Sequence, residues 1–232
     1  MSFKRSLVLL SLALLTGGAS FAQHKDWPDL GRYQEANAKL GAPVPGARRV
    51  VFMGNSITDF WIKTSPDFFS KNHYIDRGIS GQTTPQMLVR FRADVIHLHP
   101  QVVLILAGTN DLAGNTGPST LEMIEDNLAS MAELAKMNGI KVILCSILPA
   151  YDYPWKPGTY PAEKIKKLNE WIADYARQKG FVYLDYYSSL VDDRGGMKQG
   201  DSKDGVHPNL AGYQIMEPLA VSAIGQALDQ TP

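Results

Sequence analysis

Short apolar runs alternate with longer amphipathic stretches along most of this 232-residue chain, and this alternation constrains its fold more than any other feature. The apolar runs lie at 49–53, 74–79, 102–107, 141–147 and 181–184. The stretches with helical periodicity lie at 85–97, 119–138, 161–179 and 209–228. Strands that are apolar on both faces occur in parallel sheets with helices on both sides. The alternation therefore predicts right-handed βαβ units in one three-layer α/β domain.

Capping signals mark the ends of two of these helices. Ser119 is followed three residues later by Glu122, a capping-box pattern that predicts a helix start at Ser119. Gly139 and Gly180 stand where two helices are expected to end, since glycine readily adopts the left-handed conformation of a helix C-terminus. The sequence between the elements shows no internal repeat and no interdomain linker, which predicts a single domain.

The N-terminus has the three-part pattern of a secretory signal peptide. Lys4 and Arg5 give it a positive start, the run 7–15 is apolar, and Ser20 and Ala22 are the small residues of a cleavage site. An apolar run of this length is too short to span a bilayer, which needs about 20 such residues. The alternative is a buried N-terminal helix. The pattern predicts cleavage near Ala22 and export of the protein to the periplasm or the medium.

The expected organisation is therefore a signal peptide at 1–22 followed by a single domain at 23–232. The 23 basic and 23 acidic residues balance, so the chain lacks the basic excess of a nucleic-acid-binding protein. A hydrophobic fraction of 44% and a charged fraction of 20% are typical of a globular chain. Cys145 is the single cysteine, which excludes an internal disulfide and a multi-cysteine zinc site.

Polar residues that follow the apolar runs are candidates for a site, because ligands bind at the carboxyl ends of the strands in open parallel sheets. Ser56 follows the first run, Gly81 the second and Asn110 the third. A serine here can act as a nucleophile, while a glycine N–H and an asparagine amide can donate to an oxyanion. All three residue types are also common in turns and helix caps, so both interpretations stay open on these residues alone.

A loop before the last amphipathic stretch contains Asp204 and, three residues later, His207. The carboxylate at this spacing can hold the imidazole in one tautomer, so that His207 acts as a general base. The alternative is that Asp204 belongs to an ordinary turn and that His207 caps or packs against the last helix. Taken with the strand-end residues, the loop completes the set of groups that acyl transfer requires.

Four sequence blocks resemble the SGNH (GDSL-type) hydrolase superfamily. They are FMGNSIT at 52–58, GISGQTT at 78–84, LAGTNDL at 106–112 and DGVHPN at 204–209, in the order in which the family carries them. Asn55 is the one departure, since the eponymous motif has Asp there. The resemblance covers most of the predicted domain, and the combination of blocks is more specific than any one of them.

The resemblance implies a flavodoxin-like three-layer α/β sandwich with a parallel sheet of about five strands. It implies that Ser56 is the nucleophile, His207 the base and Asp204 the residue that orients His207. The oxyanion hole would consist of the backbone N–H groups of Ser56 and Gly81 and the side chain of Asn110. The family comprises esterases, lipases, thioesterases and carbohydrate deacetylases, which use neither a metal nor an organic cofactor. A metal site at His97 and His99 is not expected, because no carboxylate or cysteine completes a ligand set with them.

The segment 149–161 follows the fourth apolar run and is expected to overhang the site. Its aromatic residues Tyr151, Tyr153 and Trp155 are candidates for binding a sugar ring or an acyl group. The alternative is that they pack the loop against the domain.

Export and this aromatic loop favour a serine esterase that removes short acyl groups, such as acetyl, from carbohydrates. The expected partner is a small-molecule ester, with no nucleic acid and no stable membrane span in the mature chain. One alternative is a lysophospholipase- or thioesterase-type acyl hydrolase. Another, in a different class, is a non-catalytic carbohydrate-binding module on the same fold.

Overall fold

A computed structural model describes residues 26–44, 46 and 48–230, so the signal peptide predicted at 1–22 lies outside the described residues. Its centre is a five-stranded sheet in which every pair of neighbours is parallel, in the order β2-β1-β3-β4-β5. The strands are β1 (Val50–Gly54), β2 (Tyr74–Gly78), β3 (Val102–Leu106), β4 (Lys141–Cys145) and β5 (Val182–Leu184). The predicted three-layer α/β fold with five parallel strands is confirmed.

Helices cover both faces of the sheet. They are α1 (Gln34–Leu40), α2 (Ser56–Thr64), α3 (Pro66–Asn72), α4 (Thr84–Asp94), α5 (Thr109–Leu112), α6 (Leu121–Met137), α7 (Ala162–Lys179), α8 (Tyr187–Leu190) and α9 (Leu210–Asp229). A 3₁₀ turn, Ile96–Leu98, follows α4 and accounts for the end of the stretch predicted as one helix. No helix among the described residues is both long and apolar enough to cross a bilayer.

Alternate residues of each strand face opposite layers, which explains why the apolar runs are continuous. In β1, Val51 and Met53 belong to the core beneath α4, α6 and α7. Val50 and Phe52 point the other way, into a second core with α2, α3 and α9. Both faces of the sheet are therefore buried, as the runs predicted.

The cap predicted for α6 is wrong by one residue. Thr120 is the N-cap, because its hydroxyl oxygen accepts a hydrogen bond from the Met123 N–H at 3.2 Å. Glu122 consequently lies in the first turn without completing a capping box with Ser119. The glycine signals at the helix ends hold, since Gly139 and Gly180 both adopt φ of 72°.

Helices α2 and α3 were not predicted from the sequence, and the position of α2 is decisive for the site. Its first turn lies directly on the ends of β1 and β2, where Gly54 pairs with Gly78. A Cβ atom at Gly78 would overlap the backbone of Asp59, and one at Gly54 would overlap the side chain of Thr58. These two glycines therefore permit the close approach that places Ser56 at the carboxyl edge of the sheet.

Candidate active site

The candidate nucleophile, Ser56, is the first residue of α2 and is 8% exposed. Asn55 caps the helix, with its side-chain oxygen accepting the Ile57 N–H at 3.0 Å. A carboxylate can accept the same hydrogen bond, so Asn55 meets the local structural demand of the position where the family motif has Asp. The N-terminus of the helix carries partial positive charge, which favours negative charge that develops beside Ser56.

Hydrogen bonds within the loop 201–209 fix the positions of Asp204 and His207 relative to each other. The Ser202 hydroxyl donates to the His207 carbonyl oxygen at 2.6 Å and accepts the Gly205 N–H at 3.0 Å. Asp204 Oδ2 lies 2.6 Å from His207 Nδ1, while Asp204 Oδ1 accepts the His207 backbone N–H at 2.7 Å. One carboxylate thus fixes both the backbone and the ring of the histidine.

The hydrogen bonds that Asp204 accepts also keep it ionised. Partial burial alone would raise the pKa of this carboxyl, but hydrogen bonds from the His207 ring and from the backbone N–H groups of His207 and Val206 outweigh it. The net effect is a pKa below the ordinary value of an aspartic acid. An anion beside Nδ1 favours the tautomer with a proton on Nδ1 and a free electron pair on Nε2.

His207 Nε2 lies 2.9 Å from Ser56 Oγ. The structure therefore brings Ser56, His207 and Asp204 into one continuous series of hydrogen bonds. A hydroxyl in contact with an imidazole that a carboxylate orients is the arrangement of a serine nucleophile and its general base.

The expected oxyanion donors follow the ends of three adjacent strands, β2, β1 and β3. In the part of the chain that the structure describes, neither the Ser56 nor the Gly81 backbone N–H has a hydrogen-bond acceptor. Asn110 Nδ2 donates to the Gln82 carbonyl oxygen at 2.9 Å, which orients the amide. Asn110 itself lies on the short helix α5. Asn110 therefore belongs to a short helix and not to the turn that its residue type also allowed.

Two exposed aromatic side chains lie beside His207. The ring centroid of Phe60 is 5.2 Å from that of the imidazole, and the Trp155 centroid is 5.9 Å away. Phe60 lies one helical turn after Ser56 in α2. Its place beside the site could therefore have been predicted from the sequence only if α2 had been predicted. Trp155 Nε1 donates to Asn115 Oδ1 at 3.1 Å, and Asn115 Nδ2 in turn donates to the Gly81 carbonyl oxygen at 3.3 Å.

The structure separates the aromatic residues of the loop 149–161. Trp155 is 43% exposed and overhangs the site as expected, and Tyr151 is also exposed. The expectation that Tyr153 contacts substrate needs correction, because Tyr153 is 1% exposed and stacks on Trp155 with centroids 5.1 Å apart. Tyr153 therefore supports Trp155 from the domain side.

Two clefts adjoin the hydrogen-bonded chain. One, of about 580 Å³, is lined by Phe60, His207 and Leu210, and lies on the α2 side. The other, of about 310 Å³, is lined by Tyr151 and Asp204, on the side of the aromatic loop. Asp204 lines both clefts, and His207 lines the larger of the two.

Comparisons with known proteins identify relatives of this chain. A family model for GDSL-like lipases and acylhydrolases matches residues 52–215. A GDSL-like lipase from Bacteroides thetaiotaomicron is 49% identical, with a TM-score of 0.85 over 87% of this chain and 99% of its own. A protein from Bacteroides fragilis with a solved crystal structure is also 49% identical, with a TM-score of 0.86 over 88% of this chain and 99% of its own.

A curated relative is more distant. Esterase TesA from Pseudomonas aeruginosa is 31% identical over 137 residues, which cover 59% of this chain and 62% of that esterase. The chain thus spans less than two thirds of the length of this relative. The extent of the family match and its agreement with the four sequence blocks are decisive: the chain belongs to the GDSL-like lipase/acylhydrolase family, a family of carboxylic ester hydrolases.

Proposed function

We propose that this chain is a serine esterase in which Ser56 is the nucleophile, His207 the general base and Asp204 the residue that orients His207. The observation that carries the proposal is a pair of consecutive hydrogen bonds through His207. Ser56 Oγ lies 2.9 Å from His207 Nε2, and His207 Nδ1 lies 2.6 Å from Asp204 Oδ2. A carbohydrate-binding module without catalysis has no use for a base in contact with a buried serine hydroxyl.

In the first half of the reaction, Ser56 Oγ attacks the ester carbonyl carbon as His207 Nε2 takes its proton. The carbonyl oxygen becomes an oxyanion, which the Ser56 and Gly81 N–H groups and the Asn110 amide stabilise. When the intermediate collapses, the C–O bond to the alcohol breaks and His207 returns the proton to the leaving oxygen. The products of this half are a free alcohol and an acyl-Ser56 ester.

In the second half, water replaces the alcohol. His207 takes a proton from the water as its oxygen attacks the acyl carbon, and the same three donors hold the second oxyanion. Collapse breaks the bond to Ser56 Oγ, which recovers its proton from His207. The acid leaves, and the enzyme returns to its starting state without a cofactor.

The alcohol part of the substrate is proposed to be a sugar carrying short acyl groups. Because His207 protonates the leaving oxygen, the alcohol must lie on the His207 side of the nucleophile. Phe60 and Trp155 are the exposed aromatic rings there, and flat aromatic faces suit the C–H faces of a pyranose. The near balance of charge fits a neutral glycan.

A lysophospholipid or thioester is the second candidate, and one observation favours it. Leu210 and Phe60 line the 580 Å³ cleft and are exposed, so the cleft offers apolar surface to an alkyl chain. Export of the enzyme is also proposed, on the signal-peptide pattern of 1–22. An intact Met1 on protein recovered from the medium or the periplasm would contradict cleavage of a signal peptide near Ala22.

The activity is tested with p-nitrophenyl acetate and a fluorophosphonate probe. We expect turnover by the wild type, covalent labelling of Ser56, and neither in Ser56→Ala. The absence of turnover and of label in the folded wild type would refute the esterase proposal and favour a binding module.

The substrate class is tested with a panel of acetylated xylosides, p-nitrophenyl esters of rising chain length, lysophospholipid and acyl-CoA. Trp155→Ala should lower kcat/KM for the acetylated sugars by about tenfold or more, the scale of a lost aromatic contact, and change p-nitrophenyl acetate hydrolysis less. Trp171→Ala is the matched control, since Trp171 stacks on Tyr175 of α7, away from the site. A preference for long-chain esters that is independent of Trp155 would overturn the sugar assignment in favour of the second candidate.

A further inference from the structure

Arg90 lies on α4 with its side chain 0% exposed, and none of its hydrogen bonds reaches the nucleophile or the base. Its Nη2 donates to two backbone carbonyl oxygens, those of Gly54 at 2.9 Å and Arg77 at 2.9 Å. Gly54 is the last residue of β1, and Arg77 precedes the last residue of β2. One guanidinium group therefore joins the two strand ends from which the Ser56 and Gly81 segments emerge.

The same guanidinium reaches the third oxyanion segment through Gln82. Arg90 Nε donates to Gln82 Oε1 at 2.6 Å, and the Gln82 carbonyl oxygen accepts from Asn110 Nδ2 at 2.9 Å. Gln82 directly follows Gly81, so its placement also fixes the peptide plane next to the Gly81 N–H. The side chain of Gln82 is anchored at its other end, where Nε2 donates to the Pro28 carbonyl oxygen at 2.7 Å.

Stability is a weak explanation for a charge in this position. Arg90 pairs with Asp94 at 3.0 Å, and both side chains are almost completely buried. The desolvation of two buried charges offsets most of their attraction, so a buried ion pair contributes little net stability compared with apolar packing. A guanidinium group instead fixes the positions of the groups that it binds, because its N–H donors form a rigid planar fork.

We infer that Arg90 is a positioning residue for the oxyanion hole: it holds the Ser56, Gly81 and Asn110 segments in one fixed arrangement. The inference rests on the proposed function of these three donors. Oxyanion stabilisation depends on donors that are fixed before the reaction begins, and a misplacement of about 1 Å can cost about 10²-fold in rate. The role of Arg90 should therefore be visible in kcat and not in substrate affinity.

The experiment compares Arg90→Met, Arg90→Lys and Gln82→Met with the wild type, using p-nitrophenyl acetate. Fluorophosphonate titration counts the active sites, so each kcat refers to folded enzyme. We expect Arg90→Met and Gln82→Met to lower kcat per titrated site by about 10- to 10²-fold, with KM within about twofold. Arg90→Lys should recover part of the loss, since an ammonium keeps the charge but lacks the fork.

Arg49→Met is the matched control. Arg49 also donates to backbone carbonyl oxygens, those of Leu98 at 2.6 Å and Gly41 at 3.1 Å, but at the opposite end of the sheet from the site. Its loss should lower Tm and leave kcat per titrated site unchanged. A kcat loss in Arg49→Met equal to that in Arg90→Met would show that general destabilisation explains both, and would overturn the inference.

A double-mutant cycle with Asn110→Ala tests the route of the effect. If Arg90 acts through the oxyanion donors, the loss in Arg90→Met plus Asn110→Ala is smaller than the product of the single losses. Fully multiplicative losses, or an Arg90→Met kcat equal to the wild type, would overturn the inference. If Arg90→Met does not fold, Gln82→Met decides by the same criteria, because it removes no charge. An inactive, unlabelled wild type would instead refute the proposed esterase function itself.

Discussion

His207 Nε2 lies 2.9 Å from Ser56 Oγ, although 151 positions separate the two residues in the sequence. Ser56 reaches this point from the end of β1, and His207 from the loop that leads into α9. The ring centroids of Phe60 and Trp155 lie 5.2 and 5.9 Å from that of the imidazole. The contact is the point at which the proposed chemistry is most directly testable.

Removal of either member of this pair should abolish turnover without unfolding the protein. For Ser56→Ala and for His207→Ala we expect kcat to fall by at least about 10⁴-fold, and the double variant should be no worse than the worse single one, because the two groups act as a unit. The measurement is kcat with p-nitrophenyl acetate, with Tm as the control for folding. Substantial ester hydrolysis by Ser56→Ala would show that another group is the nucleophile.

Asp204→Asn should lower kcat nearly as much as Ser56→Ala does, because it changes the tautomer of His207. An asparagine amide facing His207 Nδ1 would donate to that nitrogen and place the ring proton on Nε2, where the imidazole can no longer accept a proton from Ser56. A loss in kcat on the order of 10⁴-fold is the precedent for this substitution in a serine triad. Asp201→Asn, in the same loop, is the control and should retain activity. An active Asp204→Asn would mean that the loop backbone alone orients His207.

The position of Ser56 at the carboxyl edge of the sheet was predictable, because it directly follows an apolar run, and the resemblance to the SGNH family implied that His207 and Asp204 act with it. Topology brings such residues together regardless of the sequence between them. The strands were also predictable, since burial on both faces leaves a continuous apolar signal. Helix α2 was not, because it is short and its buried apolar residues, Ile57 and Trp61, are separated by a single turn.

Side-chain roles within an element were harder to predict than the element itself. Tyr153 and Trp155 stand two positions apart in a loop without periodicity, so only the structure shows that one is buried and the other exposed. Arg90 and Arg92 lie in one amphipathic helix, yet Arg90 is buried and Arg92 is exposed. Hydrophobic periodicity treats an arginine as a surface residue, and a buried guanidinium that binds backbone carbonyls leaves no pattern in the sequence.

Asn110→Ala should lower kcat by about 10²- to 10³-fold and change KM little, because its amide is proposed to act only when the oxyanion forms. Asn169→Ala is the matched control, since Asn169 is also a buried asparagine and bonds the Ile147 N–H and carbonyl at 2.7 and 2.9 Å. That variant should lose stability and keep its kcat. An effect of Asn110→Ala confined to KM would assign the amide to ground-state binding instead.

The stability of the protein should depend on pH through Asp76, a buried carboxyl in the middle of β2. Desolvation by burial raises its pKa to about 7, despite hydrogen bonds from the Gly78 N–H and the Tyr33 hydroxyl and the nearby charge of Arg77. Asp59 adds to the rise by like-charge repulsion. Asp76 Oδ2 has no hydrogen-bond partner among the described residues.

Because the folded state holds this proton more tightly than the unfolded state, stability falls as pH rises from the ordinary carboxyl value towards 7. One proton accounts for a slope of up to about 1.4 kcal/mol per pH unit, and the slope vanishes above the folded-state pKa. Asp76→Asn keeps an oxygen that can accept both hydrogen bonds but cannot ionise. The free energy of unfolding of Asp76→Asn minus that of the wild type should therefore increase between about pH 4 and pH 7 and stay constant above pH 7.

Urea unfolding at pH 4.5, 6 and 8 measures this difference, and equal m-values in the two proteins control for a change in compactness. A difference between the two proteins that is the same at all three pH values would show that Asp76 binds its proton equally in both states. A difference of opposite sign, with the wild type gaining stability as pH rises, would show that the hydrogen bonds from Tyr33 and Gly78 outweigh desolvation and keep Asp76 ionised.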